Sequence, residues 1–284
     1  MGVTLRNYSL ICNQGTSGVN EDVIGITPFG AWVLDGATGL NKKNLVSKES
    51  DAKWYVNWWD EYLYKNISSD KSLKVILGEG IELVTKVYKD KLNNVDIEKL
   101  DMPSSSICII KYHEKYIEYL ILGDCSLFIK NREVNVIKDA RICKFDDSVF
   151  EKMNSLEGLE NMSFDDIKSS VMDLIISNRL KRNTPDGYWI LEFDKNAIEN
   201  SIYGYIEIEN DTKIMITSDG LSSIANRYDI FEEIELIDLA EKFGIQYIYD
   251  KLRKFETEDY KTIKFPRFKV KDDSSCIYLH IDKN

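Results

Sequence analysis

Residues Asn20–Leu40, NEDVIGITPFGAWVLDGATGL, hold an acid pair at one end and an Asp-Gly at the other, with alternating apolar residues between. VIGIT and AWVL read as two short strands joined by a turn over Pro28–Gly30. Such a hairpin brings its ends together and sets Glu21/Asp22 beside Asp35. Clustered carboxylates repel one another and resist burial unless positive charge lies between them. Hard oxygen ligands suit Mg²⁺ or Mn²⁺. The expectation is that distant segments deliver further carboxylates to this point.

The bulk properties narrow the field. The chain has 284 residues, 43% of them hydrophobic and 11% aromatic, enough for a sizeable core. A net charge of -11 argues against a nucleic-acid-binding surface, which needs a basic stripe. No apolar run approaches the roughly 18–20 residues of a membrane span. The start, MGVTLRNYSLICNQG, lacks a basic segment followed by a long apolar core, so no signal peptide is expected and a cytoplasmic location is. The five cysteines form no C-x-x-C pair and read as reduced core thiols.

Leu5–Cys12 reads as a first strand, followed by a Gln14-Gly15 turn and the hairpin. Two helices come next. SDAKWYVNWWDEYLYKNI opens on a Ser50/Asp51 cap, and SLKVILGEGIELVTKVYKDKL opens at Ser72. The aromatics Trp54, Tyr55, Trp58, Trp59 and Tyr62 read as a helix face packed on a sheet rather than a ligand stripe. From Ser104 the period falls to two, and SSSICIIKY, YIEYLILGD, CSLFIK and EVNVIKD read as four consecutive strands with tight turns. His113 falls in the first of those turns and reads as a surface residue. FDDSVFEKMN and FDDIKSSVMDLIISNRLKRN read as helices, each opening on a Phe-Asp-Asp cap, and RNTPDGYWILEF as turn and strand. Tyr203–Ile208 and Lys213–Thr217 form a strand pair running into Ser218-Asp219-Gly220. Helices over Phe231–Phe243 and Ile245–Glu256, a basic loop (Lys261–Lys271) and a strand, SSCIYLHI, complete the chain. A single domain, 1–284, accounts for the pattern.

Carboxylates therefore recur at strand ends: Glu21/Asp22, Asp35-Gly36, Gly123-Asp124, Asp219-Gly220 and Asp272/Asp273. Each alone is a common turn or a solvated loop. Together, and in this order, they resemble the metal-dependent type-2C protein serine/threonine phosphatases. Gln14-Gly15 with Asn20-Glu21-Asp22 looks like that family's first motif. WVLDGATGL is similar to its Asp-Gly motif after a buried strand, and LILGDCSLFI to its Gly-Asp-Ser element. IMITSDGLSSI closely matches its Ser-Asp-Gly motif, and DDSSCIYLHI its last. The resemblance runs from about Asn13 to Ile281.

The resemblance implies an α+β fold, a four-layer α-β-β-α sandwich of two mainly antiparallel sheets flanked by helix pairs. It implies a two-metal centre with Mn²⁺ or Mg²⁺ at one edge. There Asp35 bridges both ions, the Gly36 carbonyl binds one, and Glu21 or its neighbour Asp22 serves the second. Asp219 and Asp272, the latter paired with Asp273, complete the first, and Asp124 matches a ligand for a third, weaker ion. Asp35 and Asp219 carry the chemistry. A hydroxide bridging the metals attacks phosphorus in line, on phosphoserine or phosphothreonine of a protein substrate. With only two histidines, neither in a triad or zinc pattern, the chain offers no obvious covalent route.

The departures from the family are equally specific. Ser17 stands where many members have a phosphate-holding Arg. Ala37 stands in place of a His or Met after the first Asp-Gly, and Thr38-Gly39 replaces Gly-Gly. Lys42 and Lys43 could hold phosphate in its place but read better as solvated lysines, leaving the phosphate-binding group unassigned. The helical segment at about 140–200, where a flap beside the site is expected, has an unfamiliar sequence. Two other readings follow: a catalytically weak binding or regulatory module on the same fold, and a two-metal phosphatase for a small metabolite.

Overall fold

The computed structural model describes residues 3–283. Its strands are β1 (Thr4–Asn13), β2 (Asp22–Thr27), β3 (Gly30–Ala37), β4 (Ser104–Tyr112), β5 (Tyr116–Leu122), β6 (Ser126–Lys130), β7 (Val134–Ile137), β8 (Ile202–Glu207), β9 (Thr212–Thr217) and β10 (Ser274–Asp282). They form two five-stranded sheets, ordered β1-β10-β9-β6-β7 and β2-β3-β4-β5-β8. Every pairing is antiparallel.

The alternation of side chains across each strand builds the layers. Ala31 and Val33 of β3 and Cys108 and Ile110 of β4 point inward. They pack with Ile214, Ile216, Ile277 and Leu279 of the other sheet. Trp32, Leu34, Ile107 and Ile109 point outward, under helices α1 (Asp51–Asn66) and α2 (Leu73–Leu92). Those helices open where the sequence says they should, with the hydroxyls of Ser50 and Ser72 accepting the N–H of Lys53 and Val75. Tyr55 and Trp59 are fully buried, so the aromatic stripe is core. On the opposite face, Phe128, Met215, Cys276 and Tyr278 pack under α7 (Asp219–Asn226), α8 (Leu236–Phe243) and α9 (Ile245–Glu258). The expected four-layer α+β sandwich is present.

Between β7 and β8 lie α3 (Ala140–Asn154), α4 (Phe164–Ser170), α5 (Met172–Leu180) and the single turn α6 (Asn196–Glu199). Here the structure departs from the sequence reading. The cap of α3 is Asp139, not the Phe-Asp-Asp at 145–147, which lies inside the helix. FDDIKSSVMDLIISNRL breaks into two helices at Val171, whose φ of -114° and ψ of 6° are not helical. Tyr188–Leu191 makes only isolated bridges, Ser105 to Leu191 and Arg182 to Tyr188. Side-chain pairing fixes this stretch instead. Arg182 and Glu192 form a buried ion pair at 2.9 Å, and Arg182 Nη1 also donates to Ser104 Oγ at 3.1 Å.

A second correction concerns β5 and β6. They are not a hairpin: β5 belongs to one sheet and β6 to the other. Gly123-Asp124-Cys125 is the crossing between sheets. Gly123 has φ +84°, and a Cβ there would lie 2.1 Å from Ser106 Oγ, so the crossing needs glycine.

Candidate metal centre

The site lies where strands from both sheets end on the same side. In the β2–β3 hairpin Asp22 pairs directly with Asp35, as Ile24 does with Val33 and Ile26 with Ala31. Asp22 and Asp35 thus continue the inward-facing row past the end of the apolar core. Asp35 in turn pairs with Ser106 of β4. Ser106 Oγ donates to Asp124 Oδ1 at 2.5 Å, which holds the sheet crossing against β4. From the other sheet, β9 ends at Ser218, and Asp219 is the first residue of α7. Asp272 and Asp273 lead into β10. Ser218 and Ser275 exchange backbone and side-chain bonds at 3.0 Å and lock the two approaches side by side.

Close backbone packing explains the glycine of the Ser-Asp-Gly motif. A Cβ on Gly220 would lie 1.9 Å from the Asp273 carbonyl oxygen. Only glycine lets α7 start this close to the β10 approach.

The carboxylates feel one another strongly. Burial pushes Asp22 up to about 8, with the charges of Asp272, Asp273 and Asp219 adding to it. Asp35 is raised well above the ordinary carboxylate range, first by burial and then by Asp22, Asp219, Asp124 and Asp272. Asp219 rises to about 7 through burial and the charges of Asp124 and Asp272, while a hydrogen bond shared with Asp35 opposes the rise. Asp124 rises to about 6, from burial and then the charge of Asp146 on α3. Asp22 Oδ2 is buried with no hydrogen-bond partner.

Two of the expected ligands are turned elsewhere. Strand alternation sends Glu21 to the face opposite Asp22, where its Oε1 accepts from Thr38 Oγ1 at 2.6 Å and Ser50 Oγ at 2.5 Å. Asp273 is a backbone clamp: Oδ1 accepts the Gly15 N–H at 2.7 Å and Oδ2 the Glu21 N–H at 2.9 Å. Gly36 sits between, its N–H bonded to the Glu21 carbonyl at 3.1 Å. The structure therefore gathers Asp22, Asp35, Asp124, Asp219 and Asp272. It places Glu21 and Asp273 around them as supports. Among the described residues no group of three or more Asp, Glu, His or Cys side chains is placed so as to hold a metal ion as the side chains stand. The histidines are remote, at the opposite ends of their strands: His113 bonds Glu118 at 3.0 Å and His280 bonds Asp211 at 2.7 Å.

A cavity of about 500 Å³ opens beside Asp124 and Asp219, walled by Asp146 and Phe150 of α3 and by Arg227 and Phe265. The Arg227 guanidinium lies 4.0 Å from the Phe150 ring centre. Cationic groups near the cluster include Lys269, whose Nζ is 2.6 Å from Asp272 Oδ1. The sequence reading passed over Asp146 as a helix cap, and Lys269 as one of several lysines in a basic loop. The only signal for Lys269 was a lysine three residues before the acid pair.

Known structures similar to this one over their full lengths include bacterial serine/threonine phosphatases. The *Mycobacterium tuberculosis* phosphatase PstP/Ppp superposes with a TM-score of 0.59 over 99% of this chain and 100% of its own, at 10% identity. The fold is that of the type-2C serine/threonine phosphatases. Stp1 from *Staphylococcus aureus* gives a TM-score of 0.58 at 13% identity, over 100% of this chain and 97% of its own. The catalytic domain of PstP in complex with two manganese ions gives 0.56 at 12% identity, over 99% and 100%. No protein-family model and no curated protein matches the chain. The phosphatase fold is thus shared at sequence identities too low for the motifs alone to carry function. Among the described residues no helix is long and apolar enough to cross a membrane.

Proposed function

We propose that the chain is a Mg²⁺- or Mn²⁺-dependent phosphoric monoester hydrolase acting on phosphoserine and phosphothreonine in proteins. The observation that carries this reading is the convergence of Asp22, Asp35, Asp124, Asp219 and Asp272 at one edge of the phosphatase fold, each of the first four held at a raised pKa.

The residues fit divalent cations. The donors are hard oxygens, negative charge outweighs the adjacent positive charge, and Asp22 Oδ2 is buried without a partner. Asp35, the Gly36 carbonyl, Asp219 and Asp272 would hold one ion. Asp22 and Asp35 would hold the second, and Asp124 a third. When bound, the ions neutralise the phosphoryl oxygens and lower the pKa of coordinated water.

The chain's own residues set the geometry. Asp273 fixes the Gly15 and Glu21 backbone, and so the start of β2 and the position of Asp22. Ser106 orients Asp124. The cavity beside Asp219 offers room for the residue flanking the phosphorylated one, and α3 forms one of its walls. Ala37 supplies no proton for the leaving alkoxide, so that proton must come from a water or from another group at the site.

Phosphate release from a phosphoserine peptide in Mn²⁺ tests the proposal. Asp35→Asn and Asp219→Asn are expected to lose at least a hundredfold. Undiminished turnover in both variants would exclude the mechanism. One observation favours a binding module as the second reading: the Lys269 ammonium already neutralises part of Asp272. Tight phosphopeptide binding with no turnover in saturating Mn²⁺ would select it.

A further inference from the structure

Lysines from three separate segments meet on the Asp272 side of the carboxylate cluster. Lys269 places Nζ 2.6 Å from Asp272 Oδ1, with a third of its side chain exposed. Lys168 of α4 lies beside it, with Nζ 3.5 Å from the carbonyl oxygen of Phe268. Packing produces this contact: Ile167 of α4 and Val171 at its C-terminal end are buried in an apolar cluster against which Phe268 packs, and the Phe150 and Phe268 rings meet at a 44° tilt with centroids 4.9 Å apart. Lys42 stands in the loop after β3, its N–H bonded to the Gly39 carbonyl at 2.9 Å, near enough for its charge to act on Lys168. Burial and the charges of Lys42 and Lys269 together push the Lys168 ammonium below its ordinary pKa.

The pairing around these groups is unbalanced. Among the described residues neither Lys42 nor Lys168 has a carboxylate within 4.0 Å, whereas their neighbour Lys43 pairs with Asp101 at 3.1 Å. Asp272 is only half used. Among the described residues both hydrogen bonds to its carboxylate, from Lys269 Nζ and from the Asp273 N–H at 2.8 Å, fall on Oδ1 and none on Oδ2. A cation on Oδ2 would lie across the carboxylate from the ammonium on Oδ1, leaving the space between them and Lys168 for an anion. Ser17, where an arginine is absent, bonds the Val19 carbonyl at 3.2 Å and Asp273 Oδ1 at 3.4 Å, and so does not serve this space. Holding three like charges together costs free energy, and an anion between them repays it.

We propose that Lys269 and Lys168, with Lys42 behind them, form the subsite for the phosphoryl dianion of the substrate. This rests on the phosphatase reading above. Lys269 takes the phosphoryl oxygen nearest Asp272, and Lys168 takes an outer one. Compact ammonium groups thus replace a guanidinium fork, and one of them is carried by α4, so docking of that helix on Phe268 completes the subsite.

The test is calorimetric titration of inorganic phosphate into Mg²⁺-loaded wild type, Lys168→Met, Lys168→Arg, Lys269→Met and, as a charge control on the exposed face of α2, Lys86→Met. Lys168→Met and Lys269→Met are expected to weaken phosphate at least tenfold, Lys168→Arg less than threefold, and Lys86→Met not at all. Separate Mg²⁺ titrations are expected to agree within twofold for wild type and Lys168→Met, and the Lys168→Met melting curve to overlay wild type. Undiminished phosphate affinity in Lys168→Met and Lys269→Met, an equal loss in Lys86→Met, or no phosphate binding by wild type would overturn the subsite. Wild type that binds phosphate through these lysines but never hydrolyses a phosphopeptide would leave the subsite standing and remove the phosphatase reading alone.

Discussion

Removing one carboxylate from the cluster should make the metal-free protein more stable. Asp219 has a folded-state pKa of about 7 against an ordinary 3.8. Its contribution to stability is therefore full below about pH 4 and is lost as the pH rises through 7. At pH 8 ionised Asp219 works against the fold. The span from 3.8 to about 7 corresponds to about 4 kcal/mol, and partial exposure reduces this to about 2 kcal/mol. Asp219→Asn keeps the shape without the charge. In EDTA at pH 8 it should melt about 5 °C above wild type, with the gap shrinking toward pH 4. Saturating Mn²⁺ should reverse the order, because a ligand at a hundredfold its Kd adds about 2.7 kcal/mol only to a chain that binds it. Thermal denaturation followed by circular dichroism at pH 5, 6.5 and 8, with EDTA or Mn²⁺, reads all of this. A wild-type melting temperature that is flat from pH 5 to 8 in EDTA, or a less stable Asp219→Asn at pH 8, would refute the reasoning.

Other outcomes follow from the supports around the site. Asp273→Ala leaves the half-buried Gly15 and Glu21 amides unpaired and should cost about 1–3 kcal/mol in urea denaturation, beyond a typical surface change. Gly220→Ala forces a Cβ against the Asp273 carbonyl and should cost at least as much, while weakening Mn²⁺ affinity in a fluorescence competition titration. Arg182→Ala strands buried Glu192 and should cost about 3–5 kcal/mol, with hydrogen exchange accelerating first in the segment from Arg182 to Glu192.

The sandwich was legible because its inner strands obey one period and its helices carry their own caps. Trp32 and Leu34 face out and Ala31 and Val33 face in, so AWVL could only be a strand covered on both sides. The carboxylates at 22, 35, 124, 219 and 272 were legible because each stops or starts a strongly apolar strand. What failed depended on contacts made across space. Tyr188–Leu191 is held by Arg182, Asn183 and Ser105 rather than by a ladder, and no local pattern announces that. The crossing at Gly123-Asp124 looks like any tight turn until the sheets are assigned. Glu21 and Asp22 are chemically near-equivalent, and only the Asp22–Asp35 register decides which one faces the cluster. Lys168 belongs to the site through the packing of Ile167 and Phe268, with the lysine and its Phe268 partner 100 positions apart in sequence.

Anomalous diffraction at the manganese edge from crystals soaked in MnCl₂ addresses the central claim most directly. Two strong peaks are predicted, both within bonding distance of Asp35, one shared with Asp219 and Asp272 and the other with Asp22. A crystal with no anomalous density among these side chains, or with manganese bound only elsewhere on the acidic surface, would contradict it.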